Sequence, residues 1–295
     1  MSSKAIAFVL LLALAGSAPA ADRTADWSRQ VKSAAQAQRK GDLKQAEKLL
    51  LRALLVTEDF DVADPRAAYT LDYLGTLYQQ MGRGSDAVAV YERALKNFDQ
   101  ALGPHSEDSL SSAGRLADAY EAAERWKESE PLRRRLLDEV RAQATPEPAA
   151  LAQAESDLAL CLDAQKSWDE AMRLYADALR LRREALGPDA PEVAETLSNE
   201  GRVWLLKGDT SKAEDLLRQA LAADQKSLGP ADAAVADDLR RLAMVLEKAG
   251  KKAEAGADRT RAATIESSLK PRAAGVSPTA ATLPAPTDQN PGTQP

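Results

Sequence analysis

The chain has 295 residues, 39 basic against 45 acidic side chains for a formal net charge of −6, one histidine and one cysteine. That balance argues against nucleic acid as a partner, because phosphate binding needs concentrated positive charge. A lone cysteine rules out an internal disulfide, and one cysteine with one histidine rules out a Cys/His metal cluster.

Met1 to Ala20 has the layout of a secretory leader, expected as residues 1–20. Lys4 supplies the positive end, Ile6 to Leu14 the apolar stretch, and Ala18-Pro19-Ala20 a small-residue cleavage site. The apolar stretch is shorter than the roughly 20 residues that span a bilayer, and no cysteine follows it to carry a lipid. The expectation is an exported protein without stable membrane insertion after cleavage, periplasmic in a Gram-negative host.

The first predicted hairpin pairs a helix from Trp27 to Ala37 with one from Leu43 to Leu55, turning at Lys40-Gly41-Asp42. The second runs Arg66 to Met81 and Ser85 to Ala101, with Pro65 suited to a first helical turn. Gly103 and Pro104 stop that helix. The third, Asp108 to Ala123 and Lys127 to Ala142, is less regular and predicts a local rotation of its second helix. The fourth is Ala149 to Gln165 and Trp168 to Ala185, and the fifth Pro191 to Lys207 and Thr210 to Ser227. Asp189 followed by Glu192 has capping-box spacing, with Pro191 in the first turn. The sixth, Ala233 to Ala249 and Lys251 to Ser268, has a polar last helix that reads as a terminal cap. From Lys270 to Pro295 the chain turns to Pro, Ala, Thr and Gly, a composition that predicts a disordered tail.

These hairpins repeat. Leu-Gly-Pro recurs at 102–104, 186–188 and 228–230, which sets a period of 42 residues. Leu74, Leu116, Leu158, Glu200 and Leu242 fall in one column, and each is followed by a small residue: Gly75, Ala117, Ala159, Gly201, Ala243. Tyr78, Tyr120, Leu162, Trp204 and Leu246 stand three further on. The second helices align Ala87, Ser129, Ala171, Ala213 and Ala255, then Ala94, Leu136, Ala178, Ala220 and Ala262. Small residues at fixed places let helices approach to roughly 8–10 Å. No single hairpin has enough apolar surface to stand alone, so neighbours must stack.

The run Leu74-Gly75…Tyr78…Gly82…Ala87…Tyr91…Ala94 resembles the tetratricopeptide repeat, and the longer period with Leu186-Gly187-Pro188-Asp189 is similar to the 42-residue kind of kinesin light chains. The resemblance spans residues 27–269, in units of about 27–56, 66–102, 108–143, 149–186, 191–228 and 233–269. It implies an all-α fold, a right-handed α-solenoid of about six helix-turn-helix repeats. It further implies a concave groove lined by the first helix of each hairpin, in which a peptide lies. Carried over residue by residue, that groove contains Tyr69, Asp72, Tyr73, Arg115, Asp118, Asp157, Asn199, Arg202, Arg240 and Arg241. Kinesin light chains repeat an asparagine there, and only Asn199 keeps it.

Signs of catalysis are few. His105 lies in the linker Gly103-Pro104-His105-Ser106, and Cys161 sits among core positions. No nucleophile elbow, phosphate-binding glycine loop or zinc-protease motif is present. Arg133-Arg134-Arg135 fans round a helix and reads as a solvated face; Trp126 and Trp168 read as packing residues. The expectation is a non-enzymatic scaffold without cofactor or metal, binding a protein or peptide partner. A self-assembling envelope protein is the alternative.

Overall fold

The computed structural model describes residues 20–269. The expected leader, apart from Ala20, and the expected tail lie outside the described residues. Every regular element among them is helical, and the helices form two compact units, whose described residues are 20–101 and 102–269. Within each, sequential hairpins pack on their neighbours, as in an all-α helical repeat solenoid.

The first unit contains α1 (Ala20–Arg39), α2 (Leu43–Thr57), α3 (Arg66–Gln80) and α4 (Gly84–Ala101). The first helix starts at Ala20, ahead of the expected Trp27, because Ala20-Ala21 are good helix formers and Asp22 favours a first turn. Gly41 turns the chain at φ +80°, and Asp42 caps α2 by accepting from the Gln45 amide at 3.0 Å. Trp27 crosses to the next hairpin, its indole Nε1 donating to Thr70 Oγ1 at 2.9 Å. Leu50, Leu71, Leu74, Leu77, Tyr91 and Phe98 fill the interior.

The second unit contains α5 (Glu107–Ala122), α6 (Trp126–Arg141), α7 (Pro148–Ala164), α8 (Trp168–Leu186), α9 (Pro191–Lys207), α10 (Thr210–Ser227), α11 (Ala233–Lys248) and α12 (Lys252–Ser268). Its core passes from hairpin to hairpin. Leu137 of α6, Leu158 and Leu162 of α7, Tyr175 of α8 and Val203 of α9 form one cluster. Leu179, Val193, Leu197 and Ala220 form the next, and Leu217, Leu242, Leu246 and Ala255 another. The last helix buries only Ala255, Ala262 and Ile265, which suits an outer cap. Cys161 is buried, its thiol against the Trp126 carbonyl oxygen at 3.2 Å.

Expectation and structure part at two places. Asp189 does not cap α9. Pro191 holds the residue before it extended, so Ala190 (φ −67°, ψ 143°) becomes the boundary residue, and Asp189 pairs with Lys226 instead. The triple-basic run is not a solvated face. Arg133 is 7% exposed; Arg134 pairs with Glu130 at 2.9 Å and Glu170 at 2.8 Å; Arg135 donates to Ser109 Oγ at 2.8 Å and to the Pro104 carbonyl. In α6 the larger Leu136 is only half-buried where Ala94, Ala178 and Ala220 are fully buried, and it faces Gly114, whose missing Cβ would lie 3.9 Å from Leu136 Cδ1.

The register shows in a polar latch inside three of the hairpins. Tyr91 of α4 reaches back to α3, its hydroxyl 3.1 Å from Thr76 Oγ1 and donating to Gln79 Oε1 at 3.2 Å. One period on, Arg133 meets the equivalent positions, with Nη2 2.5 Å from Asp118 and Nε 2.8 Å from Glu121. In the last hairpin Arg259 pairs with Glu247. The fifth has Leu205 and Leu217 in these places. The two halves change together: Gln with Tyr, Glu with Arg, Leu with Leu. Asp163 and Tyr175 are the fourth pair, but Asp163 is taken by Arg202 of α9 and the Tyr175 hydroxyl has no partner among the described residues.

The hairpin turns form a further column. Gly82, Gly208 and Gly250 occupy the left-handed region, and Glu124 (φ 57°) and Lys166 (φ 64°) stand there without being glycine. A side chain with a Cβ costs about 1 kcal/mol in that conformation. Glu124→Gly and Lys166→Gly are therefore each expected to raise stability by about 0.5 kcal/mol, after the extra chain entropy of glycine. Urea unfolding checks this; a loss of stability in both would contradict it.

Candidate functional site

The first helices of the hairpins carry the ten candidate groove residues, and their surroundings differ from unit to unit. In the first unit, Tyr69 is half-buried with its ring edge-on to Phe98, centroids 4.9 Å apart. Asp72 and Tyr73 are 6% and 8% exposed, so neither offers the open side-chain surface that an anchor needs.

In the second unit α7 touches α9 and α9 touches α11, so the period brings equivalent positions side by side. One column is Arg115, Asp157, Asn199, Arg241; the next is Asp118, Leu160, Arg202, Met244. Arg115 Nη1 donates to Ser111 Oγ at 3.0 Å on its own helix. Asp118 and Asp157 both face Arg133, at 2.5 and 3.4 Å, and Gln153 Nε2 donates to Asp157 at 2.7 Å. Burial raises the Asp157 carboxyl above its ordinary range, although Arg133 and Gln153 pull it down. Burial opposes the charge on Arg133 as well, but Glu121, Asp157 and Asp118 outweigh it and hold the guanidinium protonated.

Toward the last hairpins the face opens. Arg202 pairs with the buried Asp163 while leaving 39% of its side chain exposed. Arg240 pairs with Asp237 and Glu266. Asn199 and Arg241 make no side-chain hydrogen bond among the described residues, and Met244, one turn beyond Arg241, is 59% exposed. Of the seven candidates here, these two make no side-chain hydrogen bond or ion pair among the described residues, Arg202 and Arg240 are partly exposed but paired, and the acids are drawn into ion pairs.

Three polar residues that shape this face were missed from sequence. Arg133 occupies an aromatic column, and its signal was the acid at Glu121 where the neighbouring hairpin has Gln79. Arg182 is 2% exposed and donates to Thr196 Oγ1 at 2.6 Å, Gln153 Oε1 at 2.8 Å and the Glu192 carbonyl at 2.9 Å. Asp238 accepts from Ser198 Oγ at 2.7 Å, tying α11 to α9. No group of three or more His, Cys, Asp or Glu able to hold a metal is present among the described residues.

The family model for the tetratricopeptide repeat matches residues 30–98, 66–138 and 150–226, together more than half of the chain. The chain belongs to the tetratricopeptide repeat family. Among curated proteins it is similar to two from Arabidopsis thaliana. It is 22% identical over 217 residues to Protein KINESIN LIGHT CHAIN-RELATED 3, covering 72% of this chain and 33% of that one. It is 23% identical over 178 residues to Protein KINESIN LIGHT CHAIN-RELATED 2, covering 60% and 27%. The chain thus spans about a third of the length of these relatives. Among solved structures it is similar to the nearly identical TPR-like repeats of a Podosopora anserina kinesin light chain, with a TM-score of 0.59 and 21% identity over 69% of this chain and 96% of that one. It is also similar to the apo form of the quorum sensor NprR from B. thuringiensis, with a TM-score of 0.62 and 18% identity over 82% and 65%. At these identities the likeness is one of fold. A tetratricopeptide array is in general a protein–protein interaction scaffold rather than a catalyst.

Proposed function

We propose that this tetratricopeptide repeat protein is exported and holds a peptide or protein segment against the first helices of its second unit, with α9 and α11 supplying the main contacts. The observation that carries this reading is that Asn199 and Arg241 make no side-chain hydrogen bond among the described residues, close to the exposed Met244. One amide both donates and accepts, which matches an extended backbone. A guanidinium matches a carboxylate by paired hydrogen bonds, and methionine adapts to irregular apolar groups. Arg202 and Arg240 would engage an acidic segment only in competition with Asp163, Asp237 and Glu266. The segment favoured is therefore extended, with one acidic group near Arg241 and an apolar group near Met244.

A photo-crosslinking residue in place of Met244 in the full chain, exposed to an envelope extract, tests the face. A discrete adduct is expected, reduced at least about tenfold by Asn199→Ala with Arg241→Glu, which is the loss of a single charge-assisted contact. It should be unchanged by Arg93→Glu on the exposed side of α4. An adduct indifferent to the double substitution removes these residues from the site. Export is tested separately by N-terminal sequencing: a mature chain starting at Ala21 is expected, and one starting at Met1 or Ser2 ends that reading.

A further inference from the structure

Helices α9, α10 and α11 meet around two carboxyl groups. Asp224, in the last turn of α10, and Asp238, in the middle of α11, are 6% and 5% exposed. Ser198 of α9 satisfies Asp238 Oδ1, but Asp238 Oδ2 and Asp224 Oδ1 are buried without a partner among the described residues. The charged groups acting on the pair are Asp232 from the turn before α11, Glu195 from α9, and Asp237 and Arg241 from α11 itself. On α12, Glu266 is held by Arg240. Only one neighbour is positive, and Arg241 is exposed.

The preceding junction fills the equivalent place differently. One period before Asp224 stands Arg182, whose guanidinium fills the equivalent gap against Thr196 and Gln153. One period after those two residues stand Asp238 and Glu195. A buried cation closes one junction, and two buried acids stand in the next. Two buried carboxylates side by side cannot both ionise at reasonable cost, and a carboxylic acid can donate to a carboxylate.

We propose that a proton closes this junction: Asp224 and Asp238 share one when the last two hairpins are tightly packed, and losing it loosens α11 and α12 from α10. The sharing turns two orphaned oxygens into a donor and an acceptor. Burial, with Asp238 and Asp232 beside it, pushes the Asp224 carboxyl up to about 6, and burial raises Asp238 as well. Both shifts favour the protonated form in the folded chain. The stabilisation is therefore full below the ordinary carboxyl value of 3.8 and is lost as the pH rises through about 6. The device needs no ligand, so it stands whether or not the groove is occupied.

Carboxyl carbon NMR titration of the full chain tests the sharing: one coupled step near pH 6 is expected for the pair, absent in Asp224→Asn. Native-state hydrogen exchange, corrected for intrinsic rates, tests the loosening. Opening of α11 and α12 is expected to rise about tenfold between pH 5 and pH 7.5 in the wild type, the size that follows when the closed form holds one proton more tightly than the open form. It should stay flat in Asp224→Asn, in which an amide replaces the acid at equal size. Both aspartates titrating in their ordinary range, or an equal pH response in wild type and variant, would overturn the proposal.

Discussion

Replacing Arg133 with methionine is expected to lower folding stability by about 3 kcal/mol, the cost of leaving buried carboxylates without their counter-charge. Arg133 is 7% exposed and is the common partner of Asp118, Glu121 and Asp157. Glu121 bears most of the loss, since its side chain is 13% exposed, against 61% for Asp118. The latch of the neighbouring hairpin supplies the control. Arg133→Tyr with Glu121→Gln and Ala117→Gly rebuilds the Tyr91–Gln79 pair, together with the glycine its ring lies against at Gly75, one period on and is expected to recover most of the stability. Urea unfolding of the three proteins is the measurement. A methionine variant within about 0.5 kcal/mol of wild type, the range of ordinary surface substitutions, would show that the ion pairs contribute little. A triple variant as weak as the single would show that the latch is not transferable.

Adding one methyl group at Gly75 is expected to lower stability by up to about 2 kcal/mol. A Cβ there would lie 2.5 Å from Tyr91 Cε1, and the ring has nowhere to go: it is fully buried and its hydroxyl is held by Thr76 and Gln79. Overpacking of this kind costs about 1–3 kcal/mol, and a contact as close as 2.5 Å belongs at the upper end of that range, above the roughly 1 kcal/mol that alanine gains over glycine inside a helix. The same substitution should change sign along the chain. Gly201→Ala brings the Cβ to 3.1 Å from Leu217 Cγ and should come out near neutral. Gly114→Ala meets nothing closer than 3.9 Å and should stabilise by about 0.5–1 kcal/mol. Thermal and urea unfolding of the three variants rank them; Gly75→Ala as stable as Gly114→Ala would refute the packing argument.

The helices were legible because a column of alanine, leucine and glycine repeats at one period, and stacking allows little else. The caps were partly legible: Asp42 was readable from its turn, whereas Pro191 moved the boundary of α9 onto Ala190 and freed Asp189 for Lys226. Charges were the hardest to read, for a physical reason. Whether Asp157 or Arg202 is available depends on what reaches it from another helix, and Arg133 and Asp163 lie 24 and 39 residues away. Columns taken singly miss such partners. Columns taken in pairs find the latch, since Glu121 and Arg133 depart from Gln79 and Tyr91 together. Asn199 stands out from the family pattern alone, and it is one of the two candidates in the second unit whose side chain makes no hydrogen bond among the described residues.

Because each latch joins the two arms of one hairpin, the linkers are the natural seams of the gene. A copying event that begins and ends in Pro-containing linkers, such as 145–148 and 187–191, carries both halves of a matched pair into the new cassette. One that breaks at the turns would set a tyrosine against a glutamate or an arginine against a leucine. Arrays of this kind are therefore expected to grow and shrink by whole hairpins, each bringing its own internal chemistry.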